Sequence, residues 1–393
     1  PTWSTGFSWR LSEEAYMKDI SWLNHLLLRL TYGINGNISK SSPYSLARYG
    51  KNSNTQEDML TISTPENQQL RKEKTAVTNF GVDFMLLNNR LSGSIDFYNK
   101  YSSDLLGNHR LDPTTGFNSA RINTAEVSNR GIDMRINGTI LRGTFGWDLT
   151  FNFGYNVNRV EKVQSPREIA EYYVSGGSPI EGKPLSYLYS YRWAGLSEKG
   201  EPQIYNAKGE IVGWKTKMND VEALKYVGTL TPPVYGGIIS TFTYRNFALT
   251  PVFSYQLGHV MRLPRPEMVS YGLNTDIAKR WKNPGDEKIT NIPRIYSSSS
   301  MDPKWRNYYL YNDTWDEDAS FIKLNTLTLS YDFTGLIGRK LFSRAQLVMQ
   351  ASNLWMWTAN NKDIDPEYYN LAEGQFPYLP PVRTYTIGVN LNF

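Results

Sequence analysis

Apolar and polar side chains alternate along this chain in repeated stretches of about ten residues or more, the mark of strands whose two faces meet different surroundings. From Leu91, the positions Leu91, Gly93, Ile95, Phe97 and Tyr101 interleave with Arg90, Ser92, Ser94, Asp96, Tyr98 and Lys100. Ile132, Met134, Ile136 and Ile140 interleave with Asp133, Arg135, Asn137 and Thr139. Trp147, Leu149, Phe151, Phe153, Tyr155 and Val157 do so with Asp148, Thr150, Asn152, Asn156 and Asn158. The last strand sets Tyr385, Ile387, Val389, Leu391 and Phe393 against Thr384, Thr386, Gly388, Asn390 and Asn392. Further strands are predicted at about 2–11, 25–37, 74–87, 233–244, 247–258, 320–333 and 343–353. Two features mar the pattern. Ile322 and Leu324 fall on the polar face of their strand, and Pro251 removes a ladder donor, which predicts a bulge or local break.

Soluble sandwiches alternate too, but their strands usually run about 5–6 residues. Many here are twice as long, with aromatics near their ends (Tyr101, Trp147, Tyr155, Tyr385, Phe393), as at the interfaces of a membrane barrel. No helical span competes: the most apolar run, Leu26-Leu27-Leu28-Arg29-Leu30, is far short of the roughly 20 residues such a helix needs. A mean hydropathy of −0.49 does not oppose a barrel, whose strands average out. The fold class read from the pattern is all-β, an antiparallel transmembrane β-barrel.

Loop lengths then set the count. Connections at Asn88-Asn89, 141–145, Arg245-Asn246 and 334–342 are short, whereas 38–73, 105–121, 259–319 and 354–379 are long. Short turns are periplasmic and long loops extracellular in such barrels. The strand ending near Val160 therefore exits outward and the one starting near Val234 enters from outside, so an even number of crossings separates them. Residues 161–231 hold one alternating run (Leu185, Tyr187, Tyr189, Tyr191, Trp193) and a weaker one near 203–214, so both cross or neither does. The total is about 11 or 13. An odd set cannot close alone in an even-numbered bacterial barrel, which predicts that residues 1–393 are part of a larger one. Residues 12–24 read as a short periplasmic helix capped by Ser12, or as an ordinary surface turn.

Composition narrows the chemistry. The chain of 393 residues has 27 Tyr, 16 Phe and 11 Trp, which excludes disorder, and no Cys, which excludes thiolate chemistry. Its net charge of +5 is spread along the chain and does not indicate nucleic-acid binding. His25, His109 and His259 lie far apart. The segment Gly177-Ser178-Pro179-Ile180-Glu181-Gly182-Lys183-Pro184 approaches a phosphate-binding loop, but Pro184 stands where a hydroxyl must reach magnesium. Acidic groups at Asp316-Glu317-Asp318, Asp286-Glu287 and Asp363/Asp365/Glu367 read as solvated loop charge, with a loop-stiffening calcium ion as the alternative for the last. No metalloprotease helix motif and no nucleophile elbow is present. The reading is a protein that is not an enzyme, without cofactor or resident metal.

Several stretches resemble the C-terminal part of SusC-like TonB-dependent outer-membrane receptors. They are Phe80-Gly81-Val82-Asp83-Phe84, then 88–98, Thr115-Gly116-Phe117, Asn129-Arg130-Gly131-Ile132-Asp133, 321–331, Asn353-Leu354, Asp365-Pro366-Glu367 and the closing Phe393. The resemblance implies a 22-stranded barrel in the bacterial outer membrane, of which this chain is the C-terminal portion, with plug domain and signal peptide outside it. It further implies import of glycans or oligopeptides, energised by the TonB complex through the plug, with a SusD-like surface lipoprotein as lid. The remaining partners would be the N-terminal barrel half and outer-membrane lipid. The rivals are a soluble or surface carbohydrate-binding β-protein and an outer-membrane adhesin or enzyme barrel.

Candidate ligand contacts lie in the 259–319 loop, whose Trp281, Trp305, Tyr308, Tyr309, Tyr311 and Trp315 offer flat faces for sugar rings or peptide side chains. Packing against neighbouring loops or the lid is the other reading. Arg90, Asp96, Tyr98, Lys100, Arg135, Asn152 and Asn156 are expected to line the lumen, touching the plug or the passing solute.

Overall fold

The computed structural model describes residues 2–37, 42–117, 119–164, 169–176, 179–266, 275–295, 302–337, 342–374 and 379–392. Eleven strands form one antiparallel wall: β1 (Trp3–Arg10), β2 (Leu23–Asn37), β3 (Glu73–Leu86), β4 (Leu91–Arg110), β5 (Ser119–Leu141), β6 (Phe145–Val163), β7 (Val234–Tyr244), β8 (Phe247–Leu257), β9 (Phe321–Asp332), β10 (Arg344–Thr358) and β11 (Thr384–Asn392). Each pairs with its neighbours in chain order, and β1 and β11 are the two edges of the sheet. Val234 of β7 pairs directly with Tyr155 of β6, so nothing in 161–231 crosses and the count is eleven.

Registers show why the alternation is so strict. One row of paired residues runs Trp9, Leu28, Val82, Ile95, Met134, Phe153, Gly236, Tyr255, Ile322 and Trp357 across ten strands. One residue further along β2, the row reads Ser8, Arg29, Gly81, Asp96, Asp133, Gly154, Tyr235 and Gln256. A slip of one residue would exchange these rows wholesale, so burial of the apolar row fixes the register. Hydrocarbon offers backbone groups no water, and the continuous ladder pairs them within the wall.

Local departures have local causes. Pro251 has no N–H, and the β7–β8 ladder lacks its pairs between Ile239/Val252 and Phe242/Leu249. Across the sheet, the β8–β9 register shifts between Val252 and Phe253 and leaves Asn325 unpaired. That extra residue inverts the parity of β9 beyond it. Ile322 and Leu324 consequently share the face of Tyr255, Phe253 and Trp355, correcting their assignment to the polar side.

The predicted loop 105–121 is mostly strand, because β4 and β5 stay paired to Arg110↔Ser119 beyond a kink at Asp104, whose φ is 56°. The helix expected at 12–24 is a single 3₁₀ turn, Leu11–Glu13, with no side-chain cap. The Asn88-Asn89 hairpin uses four residues, 87–90, with Leu87, Asn88 and Asn89 all in the left-handed region. Phe393 lies outside the described residues.

Candidate transport surface: inner wall and extracellular domain

The polar face of β2–β7 is knitted by charged and amide groups. Arg29 donates from Nε to Asp83 at 2.7 Å and from its terminal nitrogen to Asp96 at 3.1 Å, while Asn79 donates to Asp96 at 2.9 Å. The glycines in this row make room: a Cβ at Gly154 would come within 2.5 Å of the Tyr235 ring, and one at Gly131 would strike Tyr98. Tyr98, laid over Gly131, donates to Asn156 at 3.2 Å, and the Lys100 ammonium sits 4.7 Å from its ring centroid. Beside them runs an open groove of about 290 Å³ lined by Ser94, Asp96, Asp133, Arg135, Asn152 and Tyr235. The structure thus brings Asp96, Arg135 and Asn152 to one groove and puts Tyr98, Lys100 and Asn156 next to it. Arg90 is displaced. It ends the four-residue turn and donates to the Ile140 carbonyl at 2.9 Å, away from the strand faces.

At the end bearing the long connections, the described residues of 169–231, 259–319 and 359–374 pack together into a domain of their own. Tyr187–Tyr191, part of the alternating run whose crossing the sequence left open, pairs with Leu224–Thr229 and is buried along its whole length. Nucleotide binding finds no support there, since Tyr187–Tyr191 continues the would-be phosphate loop as strand; Gly177 and Ser178 lie outside the described residues.

The loop aromatics are the interior of this domain. Trp305, Tyr308 and Tyr309 are buried. Trp305 and Tyr309 cluster with Ile292 and Leu310, and the Tyr308 ring centroid lies 4.7 Å from that of Tyr191. The Tyr308 hydroxyl donates to the Thr216 carbonyl at 2.6 Å, and burial pushes its pKa up to about 12. Trp281, Tyr311 and Trp315 are half-buried. The Trp281 indole donates to Glu287 at 3.1 Å, that of Trp315 to the Tyr309 carbonyl at 3.2 Å, and Tyr311 lies 4.9 Å beneath the Arg262 guanidinium. Hydrophobic burial accounts for these rings, each worth about 1.5–3 kcal/mol when fully enclosed.

Two ionic clamps escaped sequence reading. Arg262, fully buried, faces Asp316 at 3.7 Å and donates to the Tyr189 carbonyl, the Ser190 hydroxyl and the Ala372 carbonyl at 2.8–2.9 Å. Burial pulls Arg262 down to about 10 and pushes Asp316 up to about 6. Lys323, also buried, holds Asp365 at 2.8 Å and Glu367 at 2.5 Å, tying the 359–374 loop to the outer end of β9. Those carboxylates neutralise an ammonium, and among the described residues no group of three or more side chains is placed to hold a metal.

His259 lies against the Phe321 ring, buried, its pKa lowered to about 4 by desolvation against a smaller opposing pull from Asp318. Below its ordinary 6.5, the unfolded imidazole takes up a proton that the folded one refuses, so stability is lost as pH falls from 6.5 towards 4. Asp316 opposes this, because the folded carboxyl gains its proton near 6, above the ordinary 3.8. His259→Gln should therefore lose less hydrogen-exchange protection at 316–320 between pH 7 and 4.5 than the parent chain, and equal losses would refute the assignment.

The family described as TonB dependent receptor-like, beta-barrel, matches residues 1–209. The chain belongs to that family. TonB-dependent receptor P39 of Formosa agariphila is 27% identical across 98% of this chain and 42% of its own length. TonB-dependent receptor SusC of Bacteroides thetaiotaomicron is 26% identical across 99% of this chain and 40% of its own. Among solved structures, the RagAB peptide importer in its closed-closed state superimposes with a TM-score of 0.77 at 25% identity, covering all of this chain and 43% of that one. This receptor chain thus spans about two fifths of the relatives it matches. Its family places it in the bacterial outer membrane, the lipid-facing apolar rows on one side of the wall and the Arg29–Asp83–Asp96 network on the other.

Proposed function

We propose that this chain forms the wall and outer mouth of an active importer of oligopeptides, energised by TonB through a plug and capped by a SusD-like lipoprotein. The observation that carries it is the polar row facing away from lipid, where Asp133 and Arg135 are exposed side by side above a groove. Groups of both charge signs complement peptides, which carry both; a neutral glycan would leave them unpaired. The similarity to the RagAB peptide importer supports the same class. Trp281, Tyr311 and Trp315, with their partly open faces, are the aromatic contacts left to a solute at the mouth.

Uptake of labelled oligopeptides and oligosaccharides by cells with the full-length receptor, compared with a deletion strain, tests this. Peptide uptake should depend on the receptor and fall about tenfold in the Asp133→Asn/Arg135→Gln variant, as expected for losing two charged contacts of about 1 kcal/mol or less each. Receptor-dependent uptake of oligosaccharide alone would overturn the substrate class, and no receptor-dependent uptake of either would overturn the importer.

A further inference from the structure

Three successive hairpins at the short-turn end each carry an arginine and no acid: Leu87-Asn88-Asn89-Arg90 between β3 and β4, Arg142-Gly143-Thr144 between β5 and β6, and Arg245-Asn246 between β7 and β8. The long connections at the other end mix both signs. These turns form one continuous rim. The Thr139 amide donates to the Arg90 carbonyl at 2.8 Å, the Arg90 guanidinium to the Ile140 carbonyl at 2.9 Å, and the Arg245 amide to the Thr144 carbonyl at 3.3 Å. All three arginines are exposed, and none has an ion-pair partner among the described residues. Two strand carboxylates lie near the rim: Asp148 accepts from Thr139 at 2.7 Å, and the Asp332 backbone exchanges hydrogen bonds with Asn246.

Directly beside the arginines stands a collar of exposed apolar groups: Leu87, Ile140, Leu141, Phe145, Tyr244 and Phe247. The Arg245 guanidinium lies over the Tyr244 ring, 5.4 Å from its centroid. The collar continues the lipid-facing rows of β4–β8, so this rim is where the wall leaves hydrocarbon. An apolar collar capped by guanidinia without ion-pair partners matches one thing in such a place, a layer of phosphate headgroups above acyl chains.

We infer that Arg90, Arg142 and Arg245 form a binding rim for the phosphates of anionic phospholipid in the periplasmic leaflet. Arginine suits this task because its planar fork pairs phosphate oxygens two at a time. The rim acts as an anchor that fixes the depth and tilt of the wall where a plug would be pulled from below. Unlike the importer proposal, this inference needs only the membrane placement of the wall, not any substrate.

The test uses the full-length receptor in nanodiscs of equal phosphatidylglycerol and phosphatidylcholine, with the lipids retained on release counted by native mass spectrometry. The parent receptor should retain phosphatidylglycerol preferentially. The Arg90→Gln/Arg142→Gln/Arg245→Gln variant should lose about tenfold or more of that preference, since each basic group at an anionic surface contributes up to about a factor of five. The corresponding triple lysine variant should keep most of it. Heat-modifiable mobility on gels checks that each variant remains a folded barrel, and failure there in the parent would instead overturn the membrane placement. Equal lipid preference in the parent and the folded glutamine variant overturns the rim, as does capture of an acidic periplasmic protein by these arginines with no lipid preference.

Discussion

Phe151→Arg should destabilise the wall by about 2–4 kcal/mol, the range for a cation placed at mid-membrane on a barrel's outer face. Phe151 pairs with Ile136 on one side and Ile238 on the other, and its ring stacks near Phe153 and Tyr255 at 6.4 and 6.5 Å. The neighbouring Asn152→Arg sets the control. That side chain points to the open polar groove, opposite Arg135 and diagonal to Asp133, where water can receive a guanidinium, so its cost should stay below about 1 kcal/mol. Denaturant midpoints of the two variants in the same lipid measure the difference. Equal costs would mean that the two faces of β6 see the same surroundings, and the barrel reading would fall with them.

Periodicity made the wall legible because one residue's shift changes the solvent of every side chain in a strand. The ten-strand row from Trp9 to Trp357 is that constraint seen in three dimensions. Even crossing parity followed from it, and β6 pairing with β7 resolves the choice to eleven strands. What pattern reading could not foresee was the inserted residue at Asn325. A bulge is invisible to an alternation count except as an apparent error, and the apparent error was Ile322 and Leu324 on the wrong face. The strands beyond residue 104 were missed for the opposite reason: Leu105, Leu106 and Gly107 break the alternation although the backbone stays paired.

The extracellular domain was legible only as composition. Aromatic density in 259–319 signalled that something was being buried, but not what buried it. Tyr308 meets Tyr191, and Arg262 meets Tyr189 and Ser190, across more than seventy residues of intervening chain. Such pairs have no sequence period. Lys323 and Asp365-Pro366-Glu367 both stood in segments that resemble the family, yet only the fold shows that they grip each other. The displaced Arg90 had a readable clue, since three residues in the left-handed region need a longer turn than Asn88-Asn89 supplies.

Arg262→Met should open the domain while sparing the wall. The guanidinium joins three separate segments, 187–191, 259–263 and 371–372, and no solvent reaches it. Removing it leaves Asp316 buried with Ser190 as its remaining donor, and uncompensated buried charges of this kind cost about 3–5 kcal/mol. Arg262→Lys should rescue little, because an ammonium on a flexible stem cannot reproduce the rigid planar fork that reaches Tyr189, Ser190 and Ala372 together. Arg262→Met/Asp316→Leu should recover a good part, since removing both charges also removes the desolvation each suffers. Hydrogen exchange at 187–191 reads the opening directly, and exchange in β4–β6 reports the wall. Loss of protection in both regions alike would show that the domain and the wall unfold as one unit, and would place the clamp in the stability of the whole receptor rather than of its mouth.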